Sequence, residues 1–297
     1  MSAYRCGLVA VVGRPNVGKS TLINAVMGRK VSIVTAKPQT TRHRILAVHT
    51  GADAQIIFVD TPGLHRKAGK AMNRLMNRTA ASALADADVV LFVSDVTHWT
   101  VEDDDVLRRL KTCRAPVIAL LNKVDKVHPK EALLVALQTM SERHDFTEII
   151  PISAQKRDNL DQLMAIIPGY LPESPPLFPE DMHTDRSPDF HAAEIIREKL
   201  TLVLHQELPY GLTVQVERYV TEASGVSINA IIWVERDSQK GIVVGKNGGV
   251  LKKIGRAARL EIAEQLHRPV HLELWVKVKS NWADNEKDLL SLGYDVP

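Results

Sequence analysis

The sequence predicts two domains: an α/β domain with a doubly wound, mostly parallel sheet over residues 1–171, and a smaller α+β domain over residues 191–297. Three observations lead to this prediction. A chain of 297 residues is long for one compact core, and 45% hydrophobic with 25% charged residues is ordinary for a globular protein. Apolar runs alternate with helical patterns early in the chain. A proline-rich segment, 172–190, then separates them from a region with alternating strand patterns.

Short, nearly continuous runs rich in β-branched residues mark the strands of the first domain, at 8–12, 54–60, 88–95, 116–123 and 148–153. Segments with a helical period separate them, at 72–85, 103–112, 130–143 and 158–167. Continuous apolar strands are typical of parallel sheets that helices cover on both faces. Gly51 and Asp53, between two of the runs, predict one antiparallel hairpin within this sheet.

The segment 172–190 predicts an extended, semi-rigid linker, because proline fixes φ and removes amide donors. Its prolines are Pro172, Pro175, Pro176, Pro179 and Pro188. Beyond it, residues 190–208 have a helical period, and strands are predicted at 212–220, 226–236 and 270–280. The last strand alternates strictly between apolar and polar residues, so we expect a second sheet with one face buried beneath helices.

Charge balance and cysteine content identify no partner class by themselves. The formal net charge is only +3, so a nucleic-acid site must depend on where the basic residues lie. Cys6 and Cys113 form no C-x-x-C pair and predict reduced core thiols. No apolar run approaches the ~20 residues that span a bilayer. We expect a cytoplasmic monomer. Any contact with the inner membrane is expected to be peripheral.

The sequence GRPNVGKS at 13–20 predicts a loop that holds the phosphates of a nucleotide. It follows an apolar strand and opens a helix, and its glycines let backbone N–H groups approach a polyphosphate. Lys19 is expected to neutralise the β- and γ-phosphates, and the Ser20 hydroxyl to bind Mg²⁺. The alternative is a glycine-rich turn without a ligand. The nucleotide-binding residues predicted here are Gly13, Arg14, Pro15, Asn16, Val17, Gly18, Lys19, Ser20 and Thr21.

Motifs at later strand ends predict which nucleotide is bound. In DTPG, Asp60 is expected to reach Mg²⁺ through water, and the Gly63 amide to reach the γ-phosphate. In NKVD, the Asp125 carboxylate can accept both N1–H and N2–H₂ of guanine, a pair of donors that adenine lacks. The SAQ string at 153–155 can supply a backbone amide to guanine O6. These motifs predict GTP, with an ATPase or kinase as the alternative. The residues predicted at the base are Asn122, Lys123, Asp125, Ser153 and Ala154.

A second kind of motif lies in the C-terminal domain, where residues 245–248 form a G-x-x-G loop. KH modules clamp about four nucleotides with such a loop. A bare G-x-x-G is usually only a turn, but every charged residue between 240 and 259 is basic, which suits phosphate binding. We therefore predict RNA binding; Trp275 and Trp282 either stack on bases or pack internally. The predicted RNA-binding residues are Gly245, Lys246, Asn247, Gly248, Lys252, Lys253 and Arg256.

The motifs GRPNVGKS, QTTRH (39–43), DTPG, NKVD and ISA (152–154) resemble, in this order, the five nucleotide motifs of the translation-factor-related GTPases. With the G-x-x-G domain behind them, the whole chain resembles the bacterial ribosome-assembly GTPases that carry a type II KH domain. The resemblance implies a P-loop GTPase switch that uses GTP/GDP and Mg²⁺. It also implies binding to small-subunit (16S) ribosomal RNA near its 3′ end and a role in assembly of the 30S subunit.

The resemblance further implies catalytic roles for Lys19, Thr41, Gly63 and Asn16. Residues 36–44 are expected to form a first switch, in which Thr41 contacts Mg²⁺ and Thr40 is the alternative. Residues 63–74 are expected to form a second switch.

Leu64 stands where Ras-like enzymes have a glutamine, and an aliphatic side chain cannot orient an attacking water. Intrinsic hydrolysis is therefore expected at about 10⁻⁴ to 10⁻² per second. Asn16 either shapes the loop or, as in related GTPases, marks a K⁺ site, with K⁺ and RNA stimulating hydrolysis. An RNA-binding module that keeps its nucleotide only for structure is a further alternative.

Overall fold

The computed structural model describes residues 3–63, 71–204 and 208–294. The chain divides into two compact units. The first comprises Met1–Gly69 and Asn73–Asp185, and the second comprises Lys70–Met72 and Arg186–Val296. Each unit has its own sheet.

The sheet of the first unit is mostly parallel, as predicted. Its strands are β1 (Arg5–Val12), β2 (Ile45–Thr50), β3 (Ala54–Asp60), β4 (Val89–Asp95), β5 (Val117–Asn122) and β6 (Glu148–Pro151). They lie in the order β2-β3-β1-β4-β5-β6. Only the β2–β3 pair is antiparallel, which confirms the predicted hairpin.

Helices follow the strands and bury them. They are α1 (Lys19–Met27), α2 (Ala71–Ala85), α3 (Val101–Leu110), α4 (Glu131–Ser141) and α5 (Leu160–Ile166). Every residue of β3 and of β5 is buried, as expected for strands that are covered on both faces. Parallel strands end at one edge of the sheet, so the motifs that follow β1, β3, β5 and β6 meet there. In the described part of the chain, no helix is long and apolar enough to cross a membrane.

The proline-rich segment lies along the edge of the first unit up to Asp185. Near its start the Pro172 carbonyl accepts from the Cys6 amide at 3.1 Å, and near its end the His183 carbonyl accepts from the Val48 amide at 3.0 Å. The segment is extended, but it is not a free spacer over this length. Its start pairs with β1 at Arg5, and its end covers part of the open edge of β2 at Ala47, where unpaired backbone groups would otherwise face water.

Gln55 fixes the middle of this segment. Its side chain is fully buried. Its Oε1 accepts from the amides of Leu177 (2.8 Å) and Phe178 (2.9 Å), while Nε2 donates to the Phe178 carbonyl (2.8 Å). The Phe178 ring packs on a small buried cluster that includes Cys6 and Ile57. The segment is therefore held in one register by a buried amide that hydrogen-bonds to its backbone.

The second unit has the predicted α+β order. Its elements are α6 (Pro188–Val203), β7 (Leu212–Glu222), β8 (Gly225–Val234), α7 (Asp237–Val244), α8 (Gly249–Leu266), β9 (Val270–Val278) and α9 (Glu286–Ser291). The central strand β8 is antiparallel to β7 and parallel to β9. The alternation predicted for β9 is confirmed: Val270 and Val276 are buried, whereas His271, Glu273 and Trp275 are exposed.

The buried face of this sheet packs against α6 and α8. Ile196 and Leu200 on α6 and Ile254 and Ala258 on α8 belong to the same core cluster as the inward residues of the strands. These residues recur at helical spacing, so each helix presents one apolar face to the sheet.

Both ends of α6 differ from the prediction. Pro188, predicted to belong to the linker, begins the helix, because proline at the first helical position loses no needed donor and its φ already suits a helix. The helix ends at Val203 instead of residue 208, since Leu204 has extended backbone angles (φ −84°, ψ 150°). Residues 205–207 lie outside the described residues.

Replacing Gln55 by Leu should loosen the segment 172–185. The backbone groups that Gln55 satisfies lose their buried partners, so we expect the free energy of unfolding in urea to fall by about 2–4 kcal/mol. Amides of 177–185 should also exchange faster with deuterium. Gln138→Leu, the same replacement at an exposed position of α4, is the control. Equal stability of the two variants would contradict this role for Gln55.

Candidate nucleotide-binding and nucleic-acid-binding sites

The loop between β1 and α1 is shaped by glycines that no other residue can replace. Gly13 has φ 156° and Gly18 has φ 105°. A Cβ on Gly13 would lie 2.3 Å from the Val93 carbonyl oxygen, and a Cβ on Gly18 would lie 2.3 Å from Asn122 Nδ2. The loop therefore follows the neighbouring strand ends closely, with the N-terminus of α1 behind it.

Lys19 lies at the centre of this loop. Its side chain is almost fully buried, and Nζ donates to the carbonyl oxygens of Gly13 and Arg14 at 2.9 Å each. Burial lowers the pKa of Lys19 to about 8, although the Asp60 carboxylate acts in the opposite direction. The lysine is thus a desolvated cation whose present partners are neutral carbonyl groups, and phosphate oxygens are stronger partners for it.

Three oxygen-bearing side chains meet beside Lys19. Ser20 Oγ donates to Asp60 Oδ2 at 2.8 Å, and it lies 2.9 Å from Thr41 Oγ1. Asp60 Oδ1 is buried and accepts no hydrogen bond from the described residues. Burial raises the pKa of Asp60, while nearby hydroxyl groups and the Lys19 ammonium oppose that rise. A hard cation such as Mg²⁺ fits this set, because Mg²⁺ prefers oxygen ligands and needs few protein ligands when phosphate is present.

The two threonines of the first predicted switch have different partners. Thr41 lies beside Ser20, whereas Thr40 Oγ1 donates to the Lys37 carbonyl at 2.7 Å and lies 2.6 Å from Thr35 Oγ1. Thr40 is thus engaged within its own loop. Of the two threonines, Thr41 is therefore the one that lies beside the oxygen atoms suited to Mg²⁺.

Asn16 and Gly63 contact the loops around the phosphate site. Asn16 has φ 65°, a left-handed conformation that asparagine tolerates, and its Nδ2 donates to the Ala36 carbonyl at 2.8 Å. A Cβ on Gly63 would lie 2.9 Å from Pro15 Cγ, so Gly63 packs directly on the phosphate loop. Residues 64–70 of the second predicted switch lie outside the described residues.

The predicted contact of Arg14 with the nucleotide stays a prediction and concerns its main chain. Its guanidinium turns toward α3: Nε donates to Asp103 Oδ2, and Nη2 donates to the His98 carbonyl, both at 2.9 Å. The buried Asp103 carboxylate attracts the Arg14 guanidinium more strongly than the solvated side of the phosphate loop does. Only the main chain of Arg14 therefore belongs to the phosphate loop.

Asn122 connects the phosphate loop with the predicted base site. Its Nδ2 donates to the Val17 carbonyl at 2.7 Å, and its Oδ1 accepts from the amides of Lys123 (2.8 Å) and Ala154 (3.0 Å). The Ala154 amide, which falls within the string predicted to donate to guanine O6, is thus engaged by Asn122. Asp125 Oδ1 accepts from Ser153 Oγ at 2.6 Å, which orients its carboxylate.

Asp95, at the end of β4, belongs to this site but was not predicted. Its Oδ2 accepts from Lys123 Nζ at 2.6 Å, and Lys123 Nζ also donates to the Asn16 carbonyl at 2.9 Å. Partial burial raises the pKa of Asp95, but hydrogen bonds from Lys123 and Thr97 more than offset this and leave it below its ordinary value. Asp95 thus fixes the lysine of the NKVD motif against the phosphate loop. Its place at a strand end was the signal available in the sequence.

The phosphate loop and the first predicted switch line a cavity of about 370 Å³, a size that suits a small ligand, whereas Asp60, Asn122, Asp125, Ser153 and Ala154 do not line it. The predicted residues that line it are Pro15, Asn16, Gly18, Lys19, Ser20, Thr21, Thr41, Gly63 and Lys123. Gln39 and Gln155 also line it, and neither was predicted to bind the nucleotide.

In the second unit, the G-x-x-G loop joins α7 to α8 in a backbone path that needs glycine. Gly245 has φ 71° and Gly248 has φ 75°, and Asn247 between them has φ 52°. A Cβ on Gly245 would lie 2.4 Å from Val250 Cγ2, whereas a Cβ on Gly248 would meet nothing within 4 Å. The loop therefore packs closely on its own helix at one end and is open at the other.

A groove of about 440 Å³ runs beside this loop, between α8 and β9. It is lined by Leu251, Lys252, Gly255, Arg256, Arg259, Leu272 and Leu274. Apolar side chains with a basic rim suit unstacked bases whose phosphates lie outside. Lys252, Arg256 and Arg259 share one helical face. Lys253 does not line the groove, and its predicted contact with RNA stays a prediction.

The two tryptophans near this domain's end do not line the groove either. Trp282 is fully buried and its Nε1 donates to the Gly211 carbonyl at 3.3 Å, so stacking on a base was the wrong alternative for it. Trp275 is exposed, but it points to the face of β9 opposite Leu272 and Leu274.

Comparison with known proteins agrees with the fold of both units. Residues 8–123 match the model of the family described as 50S ribosome-binding GTPase, and residues 207–283 match that of the KH domain. The chain is 52% identical to the GTPase Era of Cronobacter sakazakii over 97% of this chain and 96% of that protein. It is 50% identical, with the same coverage, to the GTPase Era of Yersinia pestis.

Two solved structures resemble the whole chain. One is Era in complex with MgGDPNP and nucleotides 1506–1542 of 16S ribosomal RNA, with a TM-score of 0.94 and 42% identity over 98% of this chain and 99% of that one. The other is a variant of Aquifex aeolicus Era bound to GDP·AlF₄⁻, with a TM-score of 0.93 and the same identity and coverage. The identity extends through both units, and the chain therefore belongs to the Era family of GTPases.

Proposed function

We propose that this protein is a GTP-hydrolysing switch that binds 16S ribosomal RNA near its 3′ end and acts in assembly of the 30S subunit. The observation that carries the proposal is the meeting of Ser20, Thr41 and Asp60 beside the buried Lys19. The Thr41 hydroxyl comes from the first predicted switch, and a switch needs such a contact at the metal site if it is to sense the terminal phosphate. The related Era bound to MgGDPNP and RNA supports the same assignment.

The proposed phosphate chemistry depends on charge held out of water. Lys19 binds the β- and γ-phosphates, and Ser20, Thr41 and Asp60 would hold Mg²⁺. When bound, Mg²⁺ neutralises charge on the phosphate oxygens. Gly63 offers its amide to the γ-phosphate from its position against Pro15. The remaining loop residues, Gly13, Val17, Gly18 and Thr21, supply backbone donors and the helix N-terminus.

The proposed base specificity depends on Asp125, which accepts from guanine N1–H and N2–H₂ while Ser153 holds its carboxylate. Asn122, Lys123 and Ala154 support it by fixing the strand ends around the base. Adenine would leave the Asp125 carboxylate without paired donors. The site should therefore discriminate against adenine nucleotides by roughly 10⁴-fold.

The attacking water must be oriented by groups other than the side chain that follows the DTPG motif. Leu64 cannot orient water, so we propose slow intrinsic hydrolysis that K⁺ and RNA stimulate. Asn16 is the proposed K⁺ ligand through its Oδ1, since its Nδ2 donates to the Ala36 carbonyl and so fixes the side-chain amide.

The proposed functional units are a GTPase domain (1–171), a connecting segment (172–190) and a KH domain (191–297). RNA is expected to lie against the G-x-x-G loop and the groove beside it. The proposed RNA-binding residues are Gly245, Lys246, Asn247, Gly248, Lys252, Lys253 and Arg256, and the groove adds Arg259 to them. A monomeric state, a cytoplasmic location and peripheral contact with the inner membrane stay predictions from the sequence.

Asp125→Asn should move specificity from guanine to xanthine nucleotides. An amide in place of the carboxylate cannot accept from both guanine donors, so we expect GDP affinity to fall at least ~100-fold and XDP to bind in its place. Calorimetry with GDP, XDP and ADP measures the change. Asp161→Asn, at an exposed position on α5, is the control. Unchanged preference for GDP would contradict the assignment of Asp125.

Lys246→Asp combined with Asn247→Asp should remove RNA binding without unfolding the protein. Acidic groups at the loop repel phosphates, so affinity for RNA with the sequence of nucleotides 1506–1542 of 16S ribosomal RNA should fall about 10- to 100-fold. Lys287→Asp, an exposed charge change on α9, is the control. Filter binding at several salt concentrations measures both. If the control lost as much affinity as the loop variant, the loop would not be the binding site.

GDP binding should take up a proton in mildly alkaline solution. The unliganded Lys19 loses its proton as the pH rises through about 8, and phosphates then favour its charged form. GDP affinity should therefore be full below this pKa and should decline above it. Calorimetry at about pH 8.5 in buffers of different ionisation enthalpy measures the uptake. Binding heats that are independent of the buffer would rule out this titration.

A further inference from the structure

Arg14 and Asp103 form an ion pair between the phosphate loop and α3. Arg14 Nε donates to Asp103 Oδ2 at 2.9 Å, and the exposed side-chain fractions are 12% and 0%. Arg14 Nη2 also donates to the His98 carbonyl at 2.9 Å, just before α3. A third donor of the guanidinium, Nη1, donates to the Pro15 carbonyl at 3.4 Å, and Arg14 does not line the nucleotide cavity.

The Asp103 carboxylate is shared between two tasks. Its Oδ2 accepts from the amide of Thr100 at 2.8 Å and from the Thr100 hydroxyl at 3.0 Å, which caps the start of α3. Its Oδ1 is buried and accepts no hydrogen bond in the described residues. A fully buried carboxylate needs a cationic partner, and Arg14 supplies it. A cap alone explains the contacts with Thr100 but not why a loop 89 residues away reaches the same oxygen.

Anchoring the Arg14 side chain also fixes its main chain. The Arg14 carbonyl accepts from Lys19 Nζ, and the next residue, Pro15, contacts Gly63. A shift of Arg14 would therefore displace the lysine that meets the phosphates and the glycine expected at the γ-phosphate. A loop that is already ordered binds its ligand without a further entropic cost.

We propose that Asp103 is a positioning residue for the phosphate loop and that it acts through Arg14. The proposal rests on the proposed binding of guanine nucleotides at this loop. It assigns a role to an acidic residue that otherwise serves only as a helix cap.

Asp103→Asn separates the two tasks. Asparagine keeps an oxygen that can accept from Thr100, but it removes the charge that holds Arg14. We expect the full-length protein with this change to bind GDP about tenfold more weakly when measured at a temperature at which thermal unfolding shows the variant to be folded. Asp105→Asn, on the same helix and paired with Arg108 instead, is the matched control. Equal GDP affinity of the Asp103 and Asp105 variants would overturn the proposal.

A double-mutant cycle tests the route through Arg14. Arg14→Gln should weaken GDP binding by a similar factor, and adding Asp103→Asn to it should cause little further loss, because the partner is already gone. Additive losses would show that Asp103 acts on its own and would overturn the proposal.

Arg14→Lys provides a test that leaves Asp103 in place, should the Asp103 variant not fold. Lysine keeps the charge and one donor, so it should retain more GDP affinity than Arg14→Gln. Equal loss in both would contradict the ion pair's role. If the unchanged protein failed to bind GDP, both the proposed function and this proposal would fall. Binding by the unchanged protein with no effect of the variants would refute only the positioning role.

Discussion

The phosphate site of the first unit depends on two opposite charges, one on Lys19 and one on Asp60, that are buried away from water before a ligand binds. Lys19 is 7% exposed and Asp60 is 0% exposed, and burial shifts the pKa of each toward its neutral form. Backbone carbonyls and the Ser20 hydroxyl are the partners that make this arrangement tolerable. Desolvated charges interact strongly with whatever replaces those partners. The same burial that weakens the unliganded site therefore strengthens its hold on phosphate and a divalent cation.

How much of this site could be predicted depended on distance along the chain. The phosphate loop and the strand-end motifs are contiguous, and a parallel sheet brings strand ends to one edge, so local pattern was enough. Asp95 and Asp103 were missed because their partners lie 28 and 89 residues away. Each also has a sufficient local explanation, as a strand end or a helix cap. Because a strand end or a helix cap already accounts for each aspartate, the sequence gives no sign of its second, distant partner.

Two other outcomes follow from the same limit. The prolines predicted an extended segment after residue 171, but the partner of that segment is Gln55, a buried polar residue in the mostly apolar strand β3. That anomaly was visible in the sequence, whereas its partner was not. On α8, by contrast, helical spacing alone is enough to place Lys252, Arg256 and Arg259 on one face, the face that lines the groove.

The glycines of the two sites meet different physical requirements. Gly13 and Gly18 are enclosed by the protein itself, since a Cβ on either would strike a neighbouring strand end. Gly248 has open space around it, so glycine is favoured there by its φ of 75° and not by crowding. A loop closed by its own fold has a fixed shape and suits a compact anion of constant geometry. A loop that is open on one side leaves room for a polymer to pass, which is the difference between holding a nucleotide and holding a strand of RNA.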